Sequence, residues 1–159
     1  MPHVTIEYVI MVPLLILQIF LFPLSASWLM NVWVDSRRSL ALQDAASHLG
    51  STMQQLYFSL NHGSISKGTV TYTPGLPPFI ENSHYVGTAA LKSVSNSTAN
   101  STKILELTLS LIGTGSRIKT SVIMGPSIVW ENSTFVSNST HACVSATKDV
   151  SGITMRFGK

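Results

Sequence analysis

Charge is the scarcest ingredient of this 159-residue chain: Asp, Glu, Lys and Arg together make up 11% of it, against about a quarter in ordinary soluble domains. The first 34 residues hold one formal charge, Glu7, while residues 35–159 hold ten Lys/Arg and six Asp/Glu. A chain that is 45% hydrophobic and so poor in charge is not intrinsically disordered, because disorder needs the opposite balance. The positive excess is too small and too dispersed to be a nucleic-acid footprint, so no nucleic acid is expected as the primary ligand. Cysteine is almost missing. Cys143 stands alone, which excludes an intrachain disulfide and a cysteine-cluster zinc site.

Chemistry-bearing clusters are missing as well. The five histidines are scattered, with no pair at metal-ligand spacing on one element. His141-Ala142-Cys143 would put two ligand types on one strand face, but further ligands are lacking, and a packed cysteine is the better reading. Gly113-Thr114-Gly115 lacks the third glycine and the following helix of a phosphate loop. The carboxylates are isolated from one another, so no acid/base pair presents itself. No catalytic residue, cofactor or metal is expected, and an enzyme is disfavoured.

What the chain does have is a long apolar run. Tyr8–Val34 carries no formal charge and few polar side chains. At the helical rise it spans roughly 40 Å, enough to cross a hydrocarbon core of about 30 Å. Trp28 and Trp33 lie near its far end, where aromatic belts form. The run is too long for a signal peptide and has no basic flank before it. Pro13 and Pro23 each remove a backbone donor, so a bend or a locally non-helical stretch is expected near one of them. Glu7 opens the run as an isolated carboxylate. It is either stabilised by the helix N-terminus or paired with a cation, and the nearest one available is an amino terminus at Met1, its own or a neighbour's.

Past the charges Asp35, Arg37 and Arg38, helical periodicity continues. Leu42, Ala45, Ala46, Leu49, Met53, Leu56, Tyr57 and Leu60 form one stripe at three- and four-residue steps. Gly50 is the one weak point in it. Asn61-His62-Gly63 is a stop signal in which Gly63 is expected to take the left-handed conformation. One helix from about Ile6 to Asn61 is therefore predicted.

After Gly63 the period changes to two. Lys103–Ile112 alternates most cleanly, with Leu105, Leu107, Leu109 and Leu111 on one face. The glycines of Gly113-Thr114-Gly115 permit a tight turn into Arg117–Met124, which predicts a hairpin. Thr69–Thr73, His84–Val94 (interrupted by Gly87), Ser127–Glu131, His141–Thr147 and Ile153–Phe157 complete seven strand candidates. That spacing predicts an antiparallel sandwich. The fold class is α+β: a long N-terminal helix, apolar then amphipathic, followed by a C-terminal antiparallel β-sandwich. The divisions fall at 1–34, 35–63 and 64–159.

Residues 93–102 and 131–140 are rich in Ser, Thr and Asn and read as connections. They carry four Asn-Ser-Thr sequons, at Asn96, Asn100, Asn132 and Asn138. Clustered sequons point to N-linked glycans on an exterior surface. Charge orientation alone would leave residues 35–159 in the cytoplasm, because Arg37-Arg38 follow the apolar run and no Lys or Arg precedes it. The two signals agree if a basic leader is removed, so Met1 is expected to follow a processing site.

These residues together resemble a mature type IV pilin, and specifically an archaeal pilin-like filament subunit. The likeness is carried by TIEYVIMVPLLILQIFLFP, the two-part helix and a β-domain with sequons in its connections. It implies a leader peptidase, an apolar helix that sits first in the membrane and then in a filament centre, and a homo-oligomeric helical filament on the cell surface. It maps the family's early glutamate onto Glu7, two places later than in bacterial members, with Met1 of a neighbour as amine partner. Tyr8, Pro13, Leu15, Phe20, Pro23 and Trp28 would line the filament core. Two alternatives share the plan: a single-pass anchored glycoprotein that acts as a binding module, and an archaeal flagellar filament subunit.

Overall fold

The computed structural model describes the backbone of residues 3–93 and 102–158, and the side chains of those residues from Tyr8 onward. The chain is α+β. Among the described residues one helix, α1 (His3–Asn61), precedes eight strands: β1 (Gly68–Tyr72), β2 (Tyr85–Ser93), β3 (Lys103–Leu111), β4 (Arg117–Met124), β5 (Ile128–Trp130), β6 (Thr134–Val136), β7 (Val144–Asp149) and β8 (Gly152–Phe157). Two compact units divide at Arg37/Arg38. The second unit therefore includes the amphipathic part of α1.

In the first unit α1 is helical at both Pro13 and Pro23, so the expected non-helical stretch is absent there. Each proline removes only one i→i−4 bond, and the bonds on either side persist. Ser25 Oγ donates to the Phe22 carbonyl at 3.0 Å, adding a side-chain bond in the turn that contains Pro23.

In the second unit the stripe on α1 is buried as its spacing requires: Leu42, Ala46, Leu49 and Met53 are fully covered, and Ala45, Tyr57 and Leu60 nearly so. They share a core with alternate residues of two four-stranded sheets, ordered β1-β7-β8-β5 and β4-β3-β2-β6. Leu105, Leu107, Leu109 and Leu111 face inward from β3. Phe135 of β6 and Phe157 of β8 meet across the sheets, ring centroids 5.6 Å apart. The sandwich is antiparallel except for one pair, since β5 runs parallel to β8. The purely antiparallel expectation is corrected there: the chain enters β5 by crossing from β4 in the other sheet rather than by a hairpin.

Glycine decides three local fits. A Cβ on Gly50 would lie 2.8 Å from Val122 Cγ2, so the weak point in the helical pattern is the place where α1 approaches β4. A Cβ on Gly87 would lie 2.6 Å from Leu109 Cδ2. That glycine makes room for a core leucine and does not interrupt β2. Gly113 and Gly115, with φ of 89° and 68°, supply the left-handed turn of the β3–β4 hairpin. Gly63 has no such φ among the described glycines. The helix end is instead tied by Lys148 Nζ donating to the His62 carbonyl at 3.0 Å, and by His62 Nδ1 with Ser64 Oγ at 2.8 Å.

The strand missed in the sequence is β6, which lies inside the Asn/Ser/Thr-rich stretch 131–140. Its single buried aromatic, Phe135, is held on β2 opposite Gly87. Cys143 is buried and unbridged but precedes β7, whereas His141 is exposed in a turn. The two do not share a strand face.

Candidate assembly surface

Every side chain from Tyr8 to Trp33 is exposed. The residues expected in a filament core all lie on this surface: Tyr8, Pro13, Leu15, Phe20, Pro23 and Trp28, with Leu15 at 55% and Phe20 at 68% exposure. Their neighbours Phe22, Leu24 and Trp33 are as bare as they are, and the missing polar face is the signal that includes them. An α-helix turns 100° per residue, so consecutive apolar residues over this length point in every direction. The helix is long and apolar enough to cross a membrane. Near its end the Arg37 guanidinium stacks over the Trp33 ring, 5.0 Å from the centroid, a contact suited to an interface between apolar and polar media. Glu7 belongs to α1, but its side chain, like Met1, lies outside the described residues.

The second unit presents polar surfaces. On the outer face of β2, β3 and β4, Glu106 lies between Lys92 and Lys119 and is ion-paired to both, the latter at 3.3 Å. Hydrogen bonds from Lys92 and then Lys119 hold its carboxyl below the usual carboxylate range. Asp149 is lowered by the backbone N–H of Val150 and by Lys67. Tyr85 is fully buried. Its hydroxyl donates to the Pro77 carbonyl at 2.9 Å, and burial pushes its pKa up to about 12. A depression of about 320 Å³ between α1 and β4 is lined by Ser47, Ser51, Gln54 and Thr120 and holds no titratable group. Among the described residues, no three His, Cys, Asp or Glu side chains are grouped to hold a metal ion.

One ion pair sits where the second unit begins. Arg38 Nε donates to Glu81 Oε2 at 2.7 Å. Glu81 and Asn82 form a two-residue turn at φ 47° and 71°, closed by reciprocal backbone bonds between Ile80 and Ser83 at 2.9 and 3.0 Å. Left-handed backbone is uncommon for glutamate. Neither the turn nor its partner on α1 has a short-range sequence signal, because they are 43 positions apart.

The sequons divide by position. Asn132 and Asn138 are exposed, at opposite ends of β6; Asn96 and Asn100 lie outside the described residues. α1 touches β4 through Gln54 Nε2, which donates to the Ile123 carbonyl at 3.2 Å, and Tyr72 of β1 lines a depression with its Leu56. The strands β5 and β6 form the other margins of the two sheets. No protein-family model, curated protein or solved structure matches this chain.

Proposed function

We propose that this chain is the structural subunit of an extracellular helical filament of the type IV pilin kind, non-enzymatic and glycosylated, that serves in adhesion or surface attachment. The observation that carries the reading is the apolar surface from Tyr8 to Trp33, every side chain of which is exposed. Such a surface needs an apolar surrounding. Lipid supplies it before assembly, and equivalent helices of other copies supply it afterwards. Moving from lipid to helix neighbours yields little hydrophobic free energy, because lipid tails are as apolar as leucine. Assembly therefore depends on packing and on machinery that extracts the subunit. A head-to-tail contact that does not close gives an open helical polymer.

The test is filament formation on cells that express Leu15→Arg and Glu7→Leu. Leu15→Arg should abolish filaments, since each copy would bring an unpaired charge into the packed axis. Glu7→Leu should impair them less, because apolar replacement of a buried charge is tolerated. Normal filaments built from Leu15→Arg subunits would overturn the axial role.

The Arg37–Trp33 stack favours a second reading, an anchored surface glycoprotein in which the helix stays in the bilayer. Wild-type cells without filaments, together with a monomer in detergent, would decide for it.

A further inference from the structure

Where α1 passes the end of β1, the second unit has a depression of about 160 Å³ lined by Thr52, Gln55, Leu56, Ser59 and Tyr72. Gln55, Leu56 and Ser59 follow Thr52 at helical spacing, so one face of α1 presents all four. Tyr72 forms the other wall. It stands opposite Val144, which is fully buried, so its ring lies on the core side of β1 at the rim of the sheet. That ring is 46% exposed and, among the described residues, packs on no other aromatic ring or guanidinium.

Thr52 is the residue that sets this depression apart. It is 7% exposed, yet its hydroxyl has no hydrogen-bond partner among the described residues. A helical hydroxyl commonly bonds back to a carbonyl in the preceding turn. Ser51 beside it does so, donating to the His48 carbonyl at 2.9 Å. Thr52 does not. Nor is its oxygen sealed in, since Trp130 Nε1 is the one fully enclosed side-chain polar atom without a partner among the described residues. A buried hydroxyl left unpaired is unfavourable, so this one calls for a partner from the opening. Gln55, Ser59 and the Tyr72 hydroxyl are likewise without protein partners among the described residues.

The chemistry of the lining selects the occupant. No charged side chain lies in it, so a phosphate, carboxylate or ammonium group would find no counter-charge. Hydroxyl, phenol and carboxamide groups each both donate and accept. They match a ligand with a rim of hydroxyls and with C–H faces for the Tyr72 ring and Leu56. The volume is well below the roughly 300–1,000 Å³ of sites for drug-sized ligands, which limits the occupant to about one ring. We propose that this depression binds one neutral pyranose ring of a polysaccharide or oligosaccharide. The proposal rests on the adhesive surface role proposed above and gives it a ligand class. Two sources carry such a ring: an external polysaccharide, and an N-linked glycan on a second copy of the chain.

The test uses the full chain in detergent, made in a host that adds no glycans. It is titrated with the methyl glycosides of glucose, galactose, mannose and N-acetylglucosamine, and the Gln55 side-chain amide is followed by nuclear magnetic resonance. At least one glycoside should shift that signal, with a Kd in the millimolar range that a single small ring allows. Tyr72→Ala should weaken binding about tenfold or more, and Thr52→Val about fivefold. Tyr72→Phe, which keeps the ring, should fall between wild type and Tyr72→Ala. Ser47→Ala, in the depression beside β4, should bind as wild type. Unfolding followed by circular dichroism separates a lost contact from a lost fold. The same titration on chain from a glycosylating host identifies the source. A Gln55 signal that still responds to added glycoside assigns the ring to an external polysaccharide. A signal already shifted, with a larger sedimenting species that Tyr72→Ala dissolves, assigns it to the glycan of a second copy. No response to any of the four glycosides by the unglycosylated chain would overturn the proposal, as would a response that Thr52→Val and Tyr72→Ala both leave unchanged. Binding is read on unassembled chain, so Leu15→Arg should bind glycoside as wild type while forming no filaments, and the two readings fail separately.

Discussion

Residues 8–33 and 42–60 belong to the same helix and are both rich in large apolar side chains, yet their surroundings are opposite. In the later stretch the apolar positions, Phe58 excepted, fall on one stripe, and that stripe is covered by two sheets. In the earlier stretch they fall on all faces, and every one is bare. The difference lies in the pattern of hydrophobicity more than in its amount. A stripe can be satisfied within one chain, since a single layer of structure hides it. A helix that is apolar all round cannot, and it passes its requirement on to lipid or to other molecules. The boundary is marked by Arg37 over Trp33 on one side and Arg38 with Glu81 on the other.

The strongest way to break this comparison is one truncation in each half. Leu49→Ala in the buried stripe should cost about 2–5 kcal/mol of unfolding free energy. Leu17→Ala in the bare stretch should leave denaturant unfolding of the β-unit, followed by circular dichroism in detergent, unchanged. Equal losses would show that residue 17 contributes to the fold of a single copy. Gly50→Ala is subtler. Alanine favours a helix by about 1 kcal/mol, but its methyl meets Val122. Overpacking of about 1–3 kcal/mol should win, so the same measurement should show net destabilisation. Ser25→Ala, in the other half, should show none.

The ion pair at the junction should matter less. Arg38→Ala should cost about 0.5–1 kcal/mol, the ordinary value of a partly exposed pair. Glu81→Gly loses the same pair but accepts φ of 47° without strain, so it should cost less than Arg38→Ala. A larger loss for Glu81→Gly would mean that the turn is held by more than its backbone geometry. The smallest effect belongs to two ion-paired carboxylates, the half-buried Glu106 and the exposed Asp149. Glu106 and Asp149 have lowered pKa values, so their contribution is present above the ordinary carboxylate range, about pH 4, and is lost as pH falls through their folded-state values. A denaturant midpoint followed from pH 5 downward should therefore decline. Lys92→Ala or added salt should flatten the decline.

Legibility in the sequence followed the range of the interactions. The stripe from Leu42 to Leu60 and the alternation of Lys103–Leu111 are local patterns, and both are found where the spacing puts them. The hairpin turn at Gly113 and Gly115 is local too. What escaped reading depends on partners far along the chain. Thr134–Val136 is a strand because β2 receives it and Phe135 reaches the core, and nothing in Asn-Ser-Thr-Phe-Val announces that. Gly87 looked like a break, yet it accommodates Leu109. The parallel β5–β8 pair has no local mark at all. Of the candidate assembly surface, the apolar extent was fully legible. Of the bend or non-helical stretch expected at Pro13 or Pro23, the non-helical form is not what is found, because two missing donors in a 59-residue helix leave it helical.

The strand order β1-β7-β8-β5 also has a meaning in time. Gly68 pairs with Lys148, and β5 has β8 as its one strand neighbour, so both outer strands of this sheet wait for residues 144–157. The other sheet has its last strand complete at Val136 and its last β2 contact at Ser137. On a ribosome, where the chain emerges at about 5–20 residues per second, that second sheet can close seconds or fractions of a second earlier. Until then β1 and β5 are unpaired and Leu42 to Leu60 have half their cover. A nascent chain at that stage is the form most exposed to chaperones and proteases, and the final hairpin, β7–β8, ends that exposure by entering the sheet at its middle.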